Sequence, residues 1–103
     1  MNTGTVYDFE WDAIKAVANA AKHAVTFDQA ATVFADALAL TVFDAAHSQS
    51  EDRWFTLGYD QSGTSLAVAH THTVTEDNHV RIRIISARKA TQRERSFYED
   101  EPR

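Results

Sequence analysis

The chain has 103 residues, of which 44% are hydrophobic and 11% aromatic, and it carries a formal net charge of −5. This length suits a single domain spanning residues 1–103, and the apolar content can bury a core, which excludes a disordered tail. The absence of cysteine excludes a disulfide framework and a thiolate zinc site. The N-terminus lacks a secretion pattern, and no apolar stretch approaches the roughly 20 residues of a membrane span. We therefore expect a cytoplasmic protein without membrane contact.

The first third of the chain predicts one strand followed by two helices. The segment VYDFEW alternates with the period of two that is typical of a half-buried strand. Asp12 can cap a helix through about Lys22. The apolar stripe of this helix consists of Ile14, Val17, Ala18 and Ala21. Thr26 and Gln29 have capping-box spacing and begin a second helix with a stripe at Phe27, Ala30, Ala31 and Phe34.

From Leu38 onward the periodicity changes from helical to alternating. The predicted strands are LALTVF, RWFTLGY, SLAVAHTHTV and HVRIRIISA. The segments DQSGT and TEDN between the last three contain the residues that tight reversals favour, so these strands form an antiparallel meander. Thr91 and Glu94 match a second capping box, which begins a last helix through about Asp100. The order β-α-α-β-β-β-β-α predicts an α+β fold with a mostly antiparallel sheet and helices on one face.

Positive charge is concentrated in the segment from Val80 to Tyr98, which holds six basic residues and one acid. Residues 1–79 hold three basic residues against eleven acids. On a strand, Arg81 and Arg83 point away from the face that carries Ile82 and its apolar neighbours. These arginines form either a solvated edge paired with acids or a phosphate-binding surface, because a guanidinium group matches two phosphate oxygens. The pattern alone does not choose between these interpretations.

Three segments together resemble the BrnT family, the toxin half of a bacterial type II toxin–antitoxin pair. They are FEWDAIKAVANAAKHAVTFDQAATVF, RWFTLGY and RIISARKATQRERSFYE, in matching order from Phe9 to Tyr98. The resemblance implies a RelE-like fold and a metal-independent endoribonuclease that inhibits translation, without a cofactor or a metal site. It also implies neutralisation by a BrnA-like ribbon-helix-helix antitoxin, with operator DNA contacted only through that antitoxin.

Two positions depart from the family pattern. Ala24 stands where the family has glycine after Lys-His, and Ala13 stands where proline usually follows Trp-Asp. If residue 24 ends the first helix in the left-handed region, alanine there costs on the order of 1 kcal/mol. The change at residue 13 removes only a preference at the first helical position.

Metal-free RNA cleavage needs a deprotonated 2′-hydroxyl, a stabilised phosphorane and a protonated leaving oxygen. Arg83 and Arg88 are the first candidates for stabilising the phosphorane. The supporting RNA contacts are Lys22, Arg81, Lys89 and Arg93. The candidates for proton transfer are His23, His70 and Tyr98. Each has a structural alternative: His23 can interact with the helix dipole, His70 can be a core residue and Tyr98 can simply pack.

Three further alternatives stay open. His70, His72 and His79 could ligate zinc, since residues two apart on a strand share a face. Large aromatic residues could stack on bases or belong to the core, and they are Trp11, Trp54 and Phe55. Finally, the protein could be a non-catalytic module of the same fold that docks an antitoxin and acts in operon co-repression.

Overall fold

The computed structural model describes residues 4–102. The strands are β1 (Val6–Glu10), β2 (Leu40–Phe43), β3 (Trp54–Tyr59), β4 (Ser65–Val74) and β5 (His79–Lys89). The α-helices are α1 (Ala13–His23), α2 (Phe27–Ala31) and α3 (Gln92–Asp100), with short 3₁₀ helices at Thr32–Ala35 and Ala45–His47. The described strands form one sheet in the order β1-β5-β4-β3-β2. Only the β1–β5 pair among them is parallel. The predicted α+β class, element order and mostly antiparallel sheet are confirmed.

The meander formed by β3, β4 and β5 depends on two tight turns. Gly63 has a φ of 86° in the first turn, and Asp77 and Asn78 have φ values of 45° and 68° in the second. These are the residue types that tolerate the left-handed region at least cost. The turn chemistry in the sequence therefore placed both reversals correctly. Within residues 4–102, no helix is long and apolar enough to cross a membrane.

The main core lies between the sheet and the first two helices. Its buried side chains include Val25, Phe27, Val33, Leu66, Val68, Ile82, Ile84 and Ala87. We call the sheet surface that carries Leu66, Val68, Ile82 and Ile84 the helix face. The burial of Ile82 and Ile84 confirms that these residues of β5 point toward the helices. The register of β4 and β5 shifts between Ala69 and His70, and Ile85 forms a β-bulge there without a partner on β4.

Helix α1 packs with a different side from the one that its apolar stripe predicts. Ile14 and Val17 are 81% and 71% exposed, whereas Asn19 is buried. The Asn19 side chain donates to the carbonyl oxygens of Val25 and Ala87 at 2.9 and 2.8 Å, and it accepts from the Ala87 amide at 3.0 Å. Because β1 pairs with β5 only as far as Arg83, the β5 edge beyond it is free to be capped in this way. The predicted stripe was wrong because Asn19 faces this edge.

Helix α3 lies on the opposite side of the sheet from α1 and α2. Its Tyr98 packs against Leu57 and Ala67, which pair across β3 and β4 on the other face. The placement of all helices on one face was therefore wrong for α3. Consecutive apolar residues from Leu66 to Val68 explain this arrangement, because such a run presents apolar side chains to both faces and both need cover.

Ala24 ends α1 with φ 57° and ψ 32°, in the left-handed region. Its amide donates to the Ala20 carbonyl oxygen at 2.9 Å, which satisfies one of the last helical carbonyls. Residue 24 therefore has the conformation in which alanine is strained and glycine is not.

We predict that Ala24→Gly raises the free energy of unfolding by about 1 kcal/mol, because glycine adopts the left-handed region without a Cβ clash. Ala18→Gly, in the exposed middle of the same helix, is the matched control and should lower it by about 1 kcal/mol. Urea unfolding followed by circular dichroism measures both. A loss of stability in the Ala24→Gly variant equal to that of the control would contradict the left-handed cap.

Candidate functional site

The sheet face opposite the helix face carries three arginines. Arg81, Arg83 and Arg88 pair across β5 and β4 with Thr73, Thr71 and Ala67. The side chains between them are small, since Ala69 and Ser86 also pair on this side. Helix α3 covers the β3 end of the same face. We call the surface formed by Arg81, Arg83, Arg88 and these small residues the arginine face.

Arg83 forms an ion pair with Glu51, which belongs to the polar segment before β3. Arg53 approaches the same carboxylate oxygen at 3.9 Å. The hydrogen bond from Arg83 lowers the pKa of the exposed Glu51 carboxyl, so this group is ionised at neutral pH. Glu51 could not be singled out from the sequence, because nothing in a loop 32 positions away indicates a contact with β5.

Arg88 forms a two-point ion pair with Glu94 at 2.7 and 2.9 Å. Glu94 also accepts from the Thr91 amide at 2.9 Å in the capping box that begins α3. The pair raises the pKa of Arg88 and lowers that of Glu94. The Arg88 guanidinium additionally lies 5.9 Å from the centroid of the Phe55 ring. Arg88 therefore connects β5 to the start of α3, and its planar fork is already occupied.

The remaining predicted RNA contacts lie on both sides of the sheet. Arg81 is exposed and lies 3.9 Å from a Glu10 carboxylate oxygen. Lys89 is exposed at the end of β5. Arg93, on α3, lines an apolar groove of about 290 Å³ together with Val42 and Phe97. Arg93 therefore lies on the α3 side and Arg81 toward the β1 side, whereas Lys89 pairs with Leu66 and leaves β5 on the helix face.

Lys22 and His23 line a groove of about 210 Å³ where α1 approaches the free edge of β5. The groove also includes Lys15, Ile85 and Ser86. Ser86 belongs to the arginine face, so this groove adjoins that face at the strand edge. His23 is the last residue of α1, so its ring lies at the C-terminal end of the helix. The structure thus places His23 beside the arginine face.

His70 lies on the opposite side, buried in the helix face with only 1% exposure. Its Nδ1 is 3.1 Å from the Thr71 carbonyl oxygen, and its Nε2 is 2.7 Å from the Thr56 hydroxyl oxygen. Since a carbonyl only accepts, Nδ1 carries the proton and Nε2 accepts from Thr56. Burial lowers the pKa of His70 to about 4. The structure does not bring His70 together with the arginines, and its surroundings are those of a core residue.

Tyr98 is also buried, at 7% exposure. Its hydroxyl donates to the Asp36 carboxylate at 2.7 Å, and its ring packs edge-on against Tyr59 with a centroid distance of 5.4 Å. This hydroxyl is therefore held by Asp36 beneath α3, although the Tyr98 ring packs on the same side of the sheet as the arginines. Of the other two predicted proton-transfer residues, His23 lines the groove next to Ser86 and His70 lies on the opposite face.

The three histidines of the zinc alternative, His70, His72 and His79, are not grouped together in the described residues. Both ring nitrogens of His70 are hydrogen-bonded, and His79 Nδ1 lies 3.1 Å from an Asp8 carboxylate oxygen. In the part of the chain that the structure describes, no three His, Asp or Glu residues are grouped so that they could hold a metal ion. The aromatic residues divide: Trp11 packs against the core residue Phe27, whereas Trp54 contacts His72 edge-on.

We predict that His70 makes stability depend on pH between about 6.5 and 4. The unfolded histidine binds a proton near pH 6.5 and the folded one only near 4, so the stabilisation is complete above 6.5 and is lost as the pH falls toward 4. The loss amounts to about 3 kcal/mol. Urea unfolding across this range should show a much shallower dependence for His70→Gln, while the control His72→Gln on the same strand keeps it. Equal slopes in wild type and His70→Gln would refute the assignment.

Among the comparisons with known proteins, one identifies a family and another a shared fold. The sequence model of a family described as "Ribonuclease toxin, BrnT, of type II toxin-antitoxin system" matches residues 11–94. The crystal structure of the Brucella abortus ribonuclease toxin BrnT superposes with a TM-score of 0.57 at 22% identity, over 85% of this chain and 100% of that one. At this identity the superposition shows a shared fold. No curated protein sequence shows significant similarity to the chain.

Proposed function

Because the chain belongs to the BrnT family of ribonuclease toxins from type II toxin–antitoxin systems, we propose that it cleaves RNA on the arginine face. The reaction is an endonucleolytic, metal-independent cleavage that inhibits translation in the cytoplasm. One observation carries the proposal: Arg81, Arg83 and Arg88 share an open sheet face with small side chains between them. Small side chains leave room for a phosphate to reach the guanidinium groups, which bind two oxygens each.

The two principal arginines have different tasks in this reaction. Arg83 is paired with an exposed carboxylate on a loop, so a phosphate can replace that partner and be held through the phosphorane. Arg88 is paired with Glu94, which also caps α3, so exchange there would loosen the helix start. Arg83 is therefore the main anion-binding group, and Arg88 supports the site by fixing α3. Arg81, Lys89, Arg93 and Lys22 supply sequence-independent phosphate contacts around it.

We assign proton transfer to one group at Arg83 and to one in the groove that Ser86 lines. The Glu51 carboxylate is ionised and exposed at the arginine, as a general base for the ribose 2′-hydroxyl must be. His23, in the groove next to Ser86, is the candidate that protonates the leaving 5′-oxygen. The 2′-oxygen gives its proton to Glu51 and forms a bond to the phosphorus, while the bond from phosphorus to the 5′-oxygen breaks. The leaving 5′-oxygen takes a proton from His23, so the products are a 2′,3′-cyclic phosphate and a 5′-hydroxyl. His70 and Tyr98 take no part in these transfers.

The arginine face is also the surface through which we expect an antitoxin to neutralise the toxin. We expect a BrnA-like ribbon-helix-helix antitoxin to cover the arginine face with acidic side chains, which competes directly with RNA phosphates. Operator DNA is then contacted through the antitoxin alone. The overall charge of −5 supports this division, since a net negative charge disfavours sequence-independent binding to duplex DNA.

A second candidate function is a non-catalytic module that binds an antitoxin and acts in operon co-repression. It is favoured by the internal pairing of Arg83 and Arg88, which leaves neither arginine without a carboxylate partner. The two functions differ in turnover. An enzyme consumes RNA when protein is substoichiometric, whereas a binding module only shifts the RNA in a gel.

We predict that Arg83→Ala lowers the rate of RNA cleavage about 100-fold, because it removes a charged donor to the phosphorane. Arg95→Ala, which removes the same charge from α3 outside the arginine face, should leave the rate within about twofold. Single-turnover cleavage of a labelled RNA by purified protein measures both. Induction of the same variants in cells, followed by growth and total RNA integrity, extends the test to translation arrest.

Arrest with RNA breakdown in wild type but not in Arg83→Ala supports the ribonuclease. If a folded wild-type protein leaves RNA intact, the binding-module function replaces it. If the Arg83→Ala and Arg95→Ala proteins cleave equally well, the anion site lies elsewhere.

We predict that Glu51→Gln separates binding from catalysis. Removing the carboxylate charge frees Arg83 for phosphate and tightens RNA binding, while the loss of the base lowers cleavage at least about 100-fold. Asp52→Asn, the neighbouring exposed acid, is the matched control and should change neither quantity appreciably. Filter binding and single-turnover cleavage give the two readouts. Cleavage that stays at the wild-type rate in Glu51→Gln would show that Glu51 is not the base.

A further inference from the structure

A second pocket, of about 270 Å³, opens on the helix face of the sheet. Its walls are aromatic: Tyr7 and Phe34 lie with ring centroids 5.7 Å apart, and His72 lines the pocket with its ring edge-on to Trp54. Tyr7 and His72 are exposed, so these rings are accessible from solvent. The volume is just below the range of about 300–1,000 Å³ that drug-sized ligands occupy. The pocket therefore has room for one planar ring system.

The hydrogen bonds between polar groups in this pocket have a defined direction of donation. The Thr41 and Thr56 hydroxyl oxygens are 2.8 Å apart, and Thr56 continues to His70 at 2.7 Å. Because His70 donates through Nδ1 to a carbonyl, its Nε2 accepts from Thr56, and Thr56 must then accept from Thr41. The Thr41 hydroxyl therefore already donates its hydrogen to Thr56. Its oxygen at the exposed end therefore accepts from a ligand and cannot donate to one.

We infer that this pocket binds a nucleobase that carries an exocyclic amine, with the ring against Tyr7 and Phe34 and the amine donating to Thr41. Aromatic side chains stack on any base, whereas an acceptor with a fixed direction selects bases that present an N–H donor. This inference rests on the proposed function in one respect, since it takes the base to be part of an RNA substrate. The pocket and the arginine face lie on opposite sides of the sheet, and β1 forms the edge between them.

The test uses the full ¹⁵N-labelled chain titrated with adenosine and with purine riboside, which lacks only the amine. We expect both nucleosides to shift the amides of Tyr7, Thr41 and His72, with adenosine binding about fivefold more tightly. Thr41→Val, which keeps the shape of the side chain, should reduce adenosine affinity to that of purine riboside. Tyr7→Ala should weaken both nucleosides about tenfold. Thr73→Val, an exposed threonine on the arginine face, is the matched control and should change neither.

Two results would overturn the inference: no shifts at these residues up to the solubility limit of adenosine, or an unchanged preference for the amine in a folded Thr41→Val protein. If Thr41→Val does not fold, Tyr7→Ala decides, because equal binding by Tyr7→Ala and wild type also overturns it. The titration requires no cleavage, and Arg83→Ala should bind adenosine normally. A failure of the ribonuclease proposal is thus distinguishable from a failure of this one.

Discussion

The structure depends on one side chain, Asn19, which connects the first helix to the free edge of β5. Its amide satisfies the backbone of Ala87 in both directions and also binds the Val25 carbonyl. Without it, three buried polar groups would lose their partners, and each such loss costs about 1–3 kcal/mol. The same contact brings the end of α1, with Lys22 and His23, against the strand that carries the arginines. A bond that stabilises the fold thereby also assembles the groove beside the candidate site.

The arginine face shows how one segment of a strand can serve both stability and binding. Arg88 belongs to the structure, since its partner Glu94 is tied into the cap of α3. Arg83 belongs to the surface, since its partner Glu51 is exposed on a loop and can move away without disturbing a helix. The sequence pattern did not distinguish the roles of these two arginines. Their difference arises only from which carboxylate the fold brings to each.

Much of the fold could be predicted because local signals agreed with one another. The strand SLAVAHTHTV was placed at its observed limits, and the capping boxes at Thr26 and Thr91 were both present. The failures share one cause, which is that long-range contacts leave no local pattern. Helical periodicity identifies apolar stripes, but it does not indicate that Asn19 forms hydrogen bonds with a strand edge 68 positions away. Likewise, no local pattern shows that Glu51 contacts Arg83.

The bulge at Ile85 determines to which face of the sheet the later side chains of β5 point. Arg83 and Arg88 are separated by five positions, and side chains an odd number of positions apart point to opposite faces of a regular strand. The extra residue at Ile85 reverses this parity, so both guanidinium groups emerge on one side. A strand one residue shorter here would turn one of the two arginines into the hydrophobic core. The bulge thus determines which face of the sheet carries the guanidinium groups of β5, and a change in the length of the strand would change that face.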